Sequence, residues 1–355
     1  MKICFFCYDA SKYGGVLTVQ HEIMDSLKAE YEISVVSLVD HIEKNLRDNF
    51  DSHAMEKVEE RLIIMRKKYH KELVRIFEIN KYDVVIAVHV YSAFLAFSYH
   101  KRKYKFLFWD HGALANQLSD KKITIMRYFS SSFSDMSIVL TERTRNDYIT
   151  RFHSSPRKVI TIPNPVPKVD MELIGVPQMK AKRIITVGRF SPEKGFDLLI
   201  NVACIVLREN PDWEWDIYGD GETYELIKSD VKNAELAEQL HLWGKDPNVI
   251  ERYKGHSLYV MTSYREGLPM VLLEAQLNGL PIVSFDIATG PAEIVIDGVN
   301  GYLVKPYDIK EMARKIQCLI DDESLRVSFS QHSKDKLDYF SLGKVKKKWI
   351  EIINR

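Results

Sequence analysis

Thr262-Ser263-Tyr264-Arg265-Glu266-Gly267-Leu268-Pro269-Met270-Val271-Leu272-Leu273-Glu274-Ala275-Gln276-Leu277-Asn278-Gly279-Leu280-Pro281 carries two carboxylates, Glu266 and Glu274, with seven residues between them. The apolar run Ser257 to Met261 before it reads as a strand. Pro269 suits the first turn of a helix, where its missing N–H costs nothing, and Gly279-Leu280-Pro281 supplies the stop. The helix therefore starts just after Glu266 and carries Glu274. Unpaired N–H groups at about Leu268 to Val271 then face the end of the strand and make a seat for phosphate. A carboxylate at the lip of that seat repels phosphate, so Glu266 suits sugar hydroxyls and Glu274 a second hydroxyl pair. The competing reading is two solvated glutamates on an ordinary strand-loop-helix, and this stretch alone leaves both open.

Working outward, the same alternation of strand and helix fills the chain. Apolar runs at Met1 to Cys7, Tyr31 to Leu38, Asp83 to Val88, Lys105 to Trp109, Met136 to Leu140 and Lys158 to Ile162 are separated by helical patterns, the first from about Val16 to Lys28 behind Tyr13-Gly14-Gly15. The charged region 40–60 has no clear pattern, and a long helix is expected over Lys57 to Asn80. Pro163-Asn164-Pro165-Val166-Pro167 is the densest proline cluster and punctuates one sheet. Strands then restart at Arg183 to Val187, Glu214 to Tyr218, His241 to Trp243, Leu258 to Thr262, Ile282 to Phe285 and Gly301 to Val304. Helices are expected at Glu311 to Leu319, Glu323 to Tyr339 and Gly343 to Ile353. The fold class is α/β, with two doubly wound parallel-sheet domains facing a cleft and ligands at the carboxyl ends of the strands. The expected divisions are 1–165, 166–338 and a last helix, 339–355.

Composition bounds the function. With 46% hydrophobic and 28% charged residues in 355, the chain is an ordinary globular one, and a net charge of +1 argues against nucleic acid as partner. Cys4 and Cys7 form a C-x-x-C inside an apolar strand, where an odd offset points the side chains to opposite faces, so buried structural cysteines are expected. The N-terminus has too short an apolar run for a signal peptide, and Val84 to Phe97 is too short and too polar to span a bilayer. The chain reads as cytoplasmic.

Residues just after each strand should form the site. They are Gly14-Gly15, His89, His111-Gly112, Asn164, Arg189 through Lys194, Gly219-Asp220-Gly221, Gly244-Lys245, Glu266 and Thr289-Gly290. Small residues and cations dominate, as in a pocket for a phosphorylated ligand. Arg189 and Lys194 at one strand-to-helix turn can neutralise a diphosphate. His111, at a strand exit beside glycine, can bond a substrate hydroxyl or carry a proton, its pKa lying near neutrality; a structural histidine is the equal alternative. No P-loop, complete dinucleotide fingerprint, Asp-x-Asp pair or His-x-x-x-His helix is present, so NAD, ATP and a catalytic metal are not indicated, and no cofactor is expected.

Val187-Gly188-Arg189-Phe190-Ser191-Pro192-Glu193-Lys194-Gly195, Tyr218-Gly219-Asp220-Gly221, Glu266-x7-Glu274 with Ala275-x3-Gly279-x-Pro281, and Thr289-Gly290-Pro291-x-Glu293-Ile294 together resemble the family-4 retaining glycosyltransferases of GT-B fold. The resemblance spans nearly the whole chain and is strongest from Arg183 to Pro306. It implies that Arg189 and Lys194 hold the donor diphosphate with help from the backbone at Leu268, Pro269 and Met270. It also implies that Glu274 takes the ribose hydroxyls, Glu266 orients the donor sugar, and the turn Trp243-Gly244-Lys245 edges the base. Gly14-Gly15 corresponds to the family's glycine-rich loop, and His111 falls where the family places an active-site histidine. The implied chemistry is metal-independent transfer with retention from a nucleotide-diphospho-sugar, UDP before GDP, to a glycan or lipid-linked acceptor of the cell surface. The rivals are a nucleotide-sugar epimerase on the same fold and a non-catalytic partner subunit.

The acceptor side is less marked. Arg66-Lys67-Lys68, His100-Lys101-Arg102-Lys103-Tyr104-Lys105, and Lys121-Lys122 with Ile123, Ile125, Met126, Tyr128 and Phe129 mix basic and apolar residues. Such a mixture suits peripheral contact with an anionic membrane, the alternative being a solvated face. Leu342, Val345, Trp349, Ile352 and Ile353 lie on one face of the last helix, which in the resembled family crosses back to the N-terminal domain.

Overall fold

A computed structural model describes residues 1–11, 15–39, 42–55, 62–98, 102–169 and 174–355, with the side chains of 62 and 63 left aside. The chain divides into two compact units, Met1–Pro165 with Leu342–Arg355, and Val166–Ser341. Each is built on one parallel sheet flanked by helices.

The first unit holds β1 (Lys2–Cys7), β2 (Glu32–Ser37), β3 (Asp51–Ala54), β4 (Val84–Val88), β5 (Lys105–Asp110), β6 (Met136–Val139) and β7 (Val159–Thr161), in the order β3-β2-β1-β4-β5-β6-β7. Central strands such as Val84-Val85-Ile86-Ala87-Val88 are buried at every residue. A parallel strand covered on both faces has no reason to alternate polar and apolar residues. The helix Lys44–Asn49 and the edge strand β3 occupy the stretch whose pattern was unreadable. Asp51-Ser52-His53-Ala54 has almost no buried side chain, so it presents no apolar run. The long helix is described as Leu62–Ile79; residues 57–61 of the expected span, like Gly14, lie outside the described residues.

The second unit holds β8 (Arg183–Val187), β9 (Glu214–Tyr218), β10 (Leu240–Gly244), β11 (Leu258–Met261), β12 (Ile282–Phe285) and β13 (Gly301–Val304), in the order β10-β9-β8-β11-β12-β13. The expected single helix over 323–339 is broken into Glu323–Gln331 and a tighter turn, Leu337–Phe340.

Both orders reverse direction once. In the first sheet β1 lies between β2 and β4, and in the second β8 lies between β9 and β11. At such a reversal the loops after neighbouring strands leave in opposite directions and open a crevice at the carboxyl ends. The crevice of the second unit is therefore lined by the loop after β8, with Arg189 and Lys194, and the loop after β11, with Glu266.

The helix Leu342–Asn354 belongs to the first unit. Its Val345, Trp349, Ile352 and Ile353 are buried, and Trp349 meets Trp109 of β5 edge-on, with ring centroids 4.8 Å apart. Lys105 donates from Nζ to the Ile352 carbonyl at 2.5 Å, satisfying an end carbonyl of that helix. Cys4 and Cys7 are buried on β1, and burial pushes the Cys7 thiol up to about 12 and that of Cys4 well up too. Such thiols are inert rather than redox-active. Among the described residues no helix is long and apolar enough to cross a membrane.

Candidate active site

In the second unit the loops after β8 and β11 are locked together. Gly195 adopts φ +64°, and a Cβ there would stand 2.2 Å from the Thr262 carbonyl oxygen. Only glycine permits that approach. Thr262 Oγ1 donates to the Gly195 carbonyl at 2.9 Å, and the Tyr264 amide donates to the Glu193 carbonyl at 2.8 Å. The consequence is an ion pair between residues far apart in sequence: Lys194 Nζ donates to Glu266 Oε1 at 2.7 Å. Ser263 Oγ donates to the same oxygen at 2.8 Å, and Thr289 Oγ1 donates to the Glu266 carbonyl at 2.6 Å. Arg189 is exposed, and its guanidinium makes no hydrogen bond or ion pair among the described residues.

The helix after this loop is Met270–Leu277, so it begins later than the spacing implied. Pro269 is its N-cap, at φ −73° and ψ 105°, and not a residue of its first turn. Leu268 therefore precedes the helix as well, and the amides that open it begin at Met270. Pro269 is wedged against Gly290, at φ +103°, where a Cβ would come within 2.6 Å of the proline Cδ. On this helix Glu274 accepts at Oε2 from the Tyr253 hydroxyl, 2.8 Å away. Burial pushes the Glu274 carboxyl above its ordinary pKa, and the Tyr253 bond pulls it back. Tyr253 is wholly buried and stacks on Tyr259. Sequence reading missed it because a lone tyrosine in the short 249–255 turn belongs to no periodic pattern. At the end of β10, Gly244 turns at φ +74°, and Lys245 is exposed beside it.

In the first unit Gly15 opens the helix Gly15–Leu27 and lines a cavity of about 300 Å³ at the carboxyl ends of β1 and β4, with Tyr8, Gln20, His89 and Tyr91. His89 sits at φ +72°, unusual for a residue other than glycine. His111, after β5, is buried over the Trp109 ring at 4.3 Å, and its Nε2 has no hydrogen-bond partner among the described residues. Burial first, and His89 second, lower its pKa to about 3. The structure thus corrects the expectation of a pKa near neutrality: His111 is a neutral imidazole, able to hydrogen-bond a hydroxyl but not poised to carry a proton at neutral pH. Beneath it, buried Asp110 accepts from Arg127 Nε at 2.7 Å, the Tyr148 hydroxyl at 2.6 Å and the Gly112 amide at 3.0 Å. This network fixes the strand exit that carries His111. Asp110 follows the expected strand Lys105 to Trp109 with no role assigned to it, and neither Arg127 nor Tyr148 stands at a strand exit.

Arg66 and Arg102, two of the cations in the basic and apolar mixture, are engaged inside the unit. Arg66 lies over the Phe97 ring at 3.7 Å and donates to the carbonyls of Phe94, Leu95 and Phe97 at the end of the helix His89–Ala96. Arg102 bonds the Phe133 carbonyl and Asp135. Lys67, Lys68, Lys103, Lys121 and Lys122 remain exposed, the last two near exposed Ile125 and Tyr128; His100 and Lys101 lie outside the described residues.

Two family models tile the chain. Glycosyltransferase Family 4 matches residues 13–168, and Glycosyl transferases group 1 matches residues 174–336. The chain belongs to the family-4 glycosyltransferases of GT-B fold. It is 26% identical to an uncharacterized glycosyltransferase of Haemophilus influenzae over 99% of both chains. It is 27% identical to the amylovoran biosynthesis glycosyltransferase AmsD of Erwinia amylovora over 84% of this chain and 86% of that one. Among solved structures it superposes on Anabaena Alr3699/HepE in complex with UDP with a TM-score of 0.83, at 17% identity and over the whole of both chains. In this glycosyltransferase Arg189, Lys194, Gly244, Lys245, Glu266 and Glu274 fall in the group 1 segment, and Gly15 and His111 in the family 4 segment.

Proposed function

We propose that this glycosyltransferase moves a hexose from a UDP-sugar to a glycan or lipid-linked acceptor of a cell-surface polysaccharide, with retention of configuration and without a metal. The observation that carries the reading is the Lys194–Glu266 pair at the sheet reversal, next to the opening of the helix Met270–Leu277. A cation held there meets the negative charge that grows on the leaving diphosphate, while its carboxylate partner is directed at sugar hydroxyls. Arg189 and the amides of the helix end, together with Leu268 and Pro269 before it, complete the diphosphate seat. Glu274, steadied by Tyr253, takes the ribose hydroxyls, and Gly244 and Lys245 edge the base. Gly15 allows close approach of the loop after β1.

The departing phosphate oxygen takes the acceptor proton on the face it leaves, which gives retention. Glu266 Oε1 accepts from Lys194 and Ser263, which holds the carboxylate in a fixed orientation from which it positions the donor sugar. His111, neutral and with a buried Nε2 that has no partner among the described residues, supplies the bond to a sugar hydroxyl. UDP is preferred to GDP because a structural neighbour of the same fold binds it, and the AmsD relative supports a role in polysaccharide assembly. Exposed Lys121 and Lys122 beside Ile125 and Tyr128 would rest on an anionic membrane on its inner face.

A panel of nucleotide sugars tests the donor. The matching UDP-sugar at about 100 times its Kd should stabilise the protein by about 2.7 kcal/mol, visible as a shift of several degrees in Tm, and should be hydrolysed slowly without acceptor. A shift with GDP-sugars alone, or with none, overturns the donor assignment. Transfer should also persist in excess EDTA, because Lys194, Arg189 and the helix end supply the charge at the leaving group. Loss on chelation with recovery in Mg²⁺ or Mn²⁺ would contradict the metal-free mechanism.

A further inference from the structure

Asp216, in the middle of β9, is wholly buried, and donors from three elements converge on it. Arg183 reaches Oδ2 with Nε at 2.9 Å and Nη2 at 2.6 Å, and His256 Nε2 lies 2.8 Å from the same oxygen. Trp243 Nε1 donates to Oδ1 at 2.5 Å. The other nitrogen of His256, Nδ1, faces the Arg252 carbonyl at 2.7 Å. A carboxylate and a carbonyl oxygen can only accept, so His256 is held between two acceptors, Asp216 on one side and the Arg252 carbonyl on the other.

Two features of this cluster exceed what burial of one carboxylate requires. Arg183 already compensates the charge and His256 occupies the same oxygen, yet the remaining oxygen is given to a tryptophan that is 57% exposed. An indole left in water adds little to a core. The ladder between β9 and β10 also slips in register between Leu242 and Gly244, at Trp243. A bulge of that kind re-aims a side chain. Here it turns the indole N–H in to Asp216 and leaves the ring in the open, near-parallel to Tyr218 at 6.3 Å. On its other side Asp216 acts through His256 on the Arg252 carbonyl, and the next residue, Tyr253, holds Glu274.

We propose that Asp216 is the positioning residue for the nucleoside half of the donor, fixing Trp243 as the wall for the base and, through His256 and Tyr253, the orientation of Glu274 toward the ribose. This rests on the reading of the second unit as the nucleotide-sugar site. The diphosphate contacts, at Arg189, Lys194 and the helix end, involve none of these bonds, so the nucleoside and diphosphate terms are separable.

The test compares UDP, UMP and inorganic pyrophosphate binding to the full chain by calorimetry, with donor kinetics. Trp243 has its own signature, since the other four of the five tryptophans, Trp109, Trp213, Trp215 and Trp349, are buried. UDP should quench the exposed component of the emission in the unaltered protein. Asp216→Asn and Trp243→Phe should each weaken UDP and UMP about tenfold, the loss of one charge-assisted bond, and raise donor KM in step with little change in kcat. Pyrophosphate affinity should not change. If Asp216→Asn fails to fold, Trp243→Phe carries the test, because it removes one N–H from an exposed ring. Unaltered protein that binds neither UDP nor UMP overturns the donor site itself. Unaltered protein that binds UDP, with foldable variants that bind it equally well or lose pyrophosphate in parallel, overturns the positioning role alone.

Discussion

Lys194→Ala lowers kcat by about 10²- to 10³-fold, the effect of removing one preorganised charge from a developing oxyanion. Two events coincide in this variant. The leaving diphosphate loses its cation, and Glu266 loses the ammonium that aims it while keeping the Ser263 hydroxyl at Oε1. Lys194 and Glu266 side chains are 24% and 10% exposed, so the pair is partly shielded from solvent and its loss is felt more than that of a surface salt bridge. The fold should survive, because the loop is held by Gly195, Thr262 and Tyr264 through backbone and hydroxyl bonds independent of the ammonium. Arg189→Ala separates the two events: its guanidinium is exposed, so it weakens pyrophosphate and UDP while changing stability by less than about 0.5 kcal/mol. Single-turnover transfer at matched circular dichroism reads both variants. Full turnover in Lys194→Ala removes it from the diphosphate clamp.

Trp349→Ala lowers the stability of the first unit by about 3–5 kcal/mol. The side chain is wholly buried, packs edge-on to Trp109, and stands among Val345, Ile352 and Ile353 on the only apolar stripe of its helix. Cavity formation adds to the lost transfer energy, since Trp109 is itself fixed between Phe5 and His111 and has little room to collapse. A chain ending at Ser341 removes the whole helix and with it the Lys105 bond to the Ile352 carbonyl and the Lys346–Glu30 ion pair. Such a chain should lose the unfolding transition of the first unit and all transfer, yet still bind UDP through Arg189, Lys194 and Glu274. Calorimetric scans with and without UDP resolve the two units, and acrylamide quenching in a Trp243→Phe background, free of the exposed indole, reports the buried ones. An unchanged transition after truncation, or a Trp349 open to acrylamide, shows that the helix does not complete the first unit.

The strands at Arg183, Glu214, Ile282 and Gly301 were legible to the residue. A parallel strand between two helical layers must be apolar throughout, and that demand is local and written in consecutive letters. The family resemblance was likewise legible, because Arg189, Lys194, Glu266 and Glu274 keep their spacing to glycines and prolines that end strands and start helices. The edge strand β3 was not, since an edge residue buries little. What the chain order could not supply is which of these residues meet. Lys194 and Glu266 stand 72 positions apart, and they pair because Gly195 lets one loop lie on the carbonyl of Thr262. His111 carries a near-neutral pKa as a letter, and only burial beside His89 makes it a neutral imidazole. Arg66 looked like a surface cation until the carbonyls of Phe94, Leu95 and Phe97 were brought to it. Asp216, an acid inside an apolar strand, gave no signal of its donors, which come from β8, β10 and the turn before β11. Periodicity records whether a residue is buried; tertiary packing alone decides what it is buried against, and hydrogen bonds and pKa values follow from that neighbour.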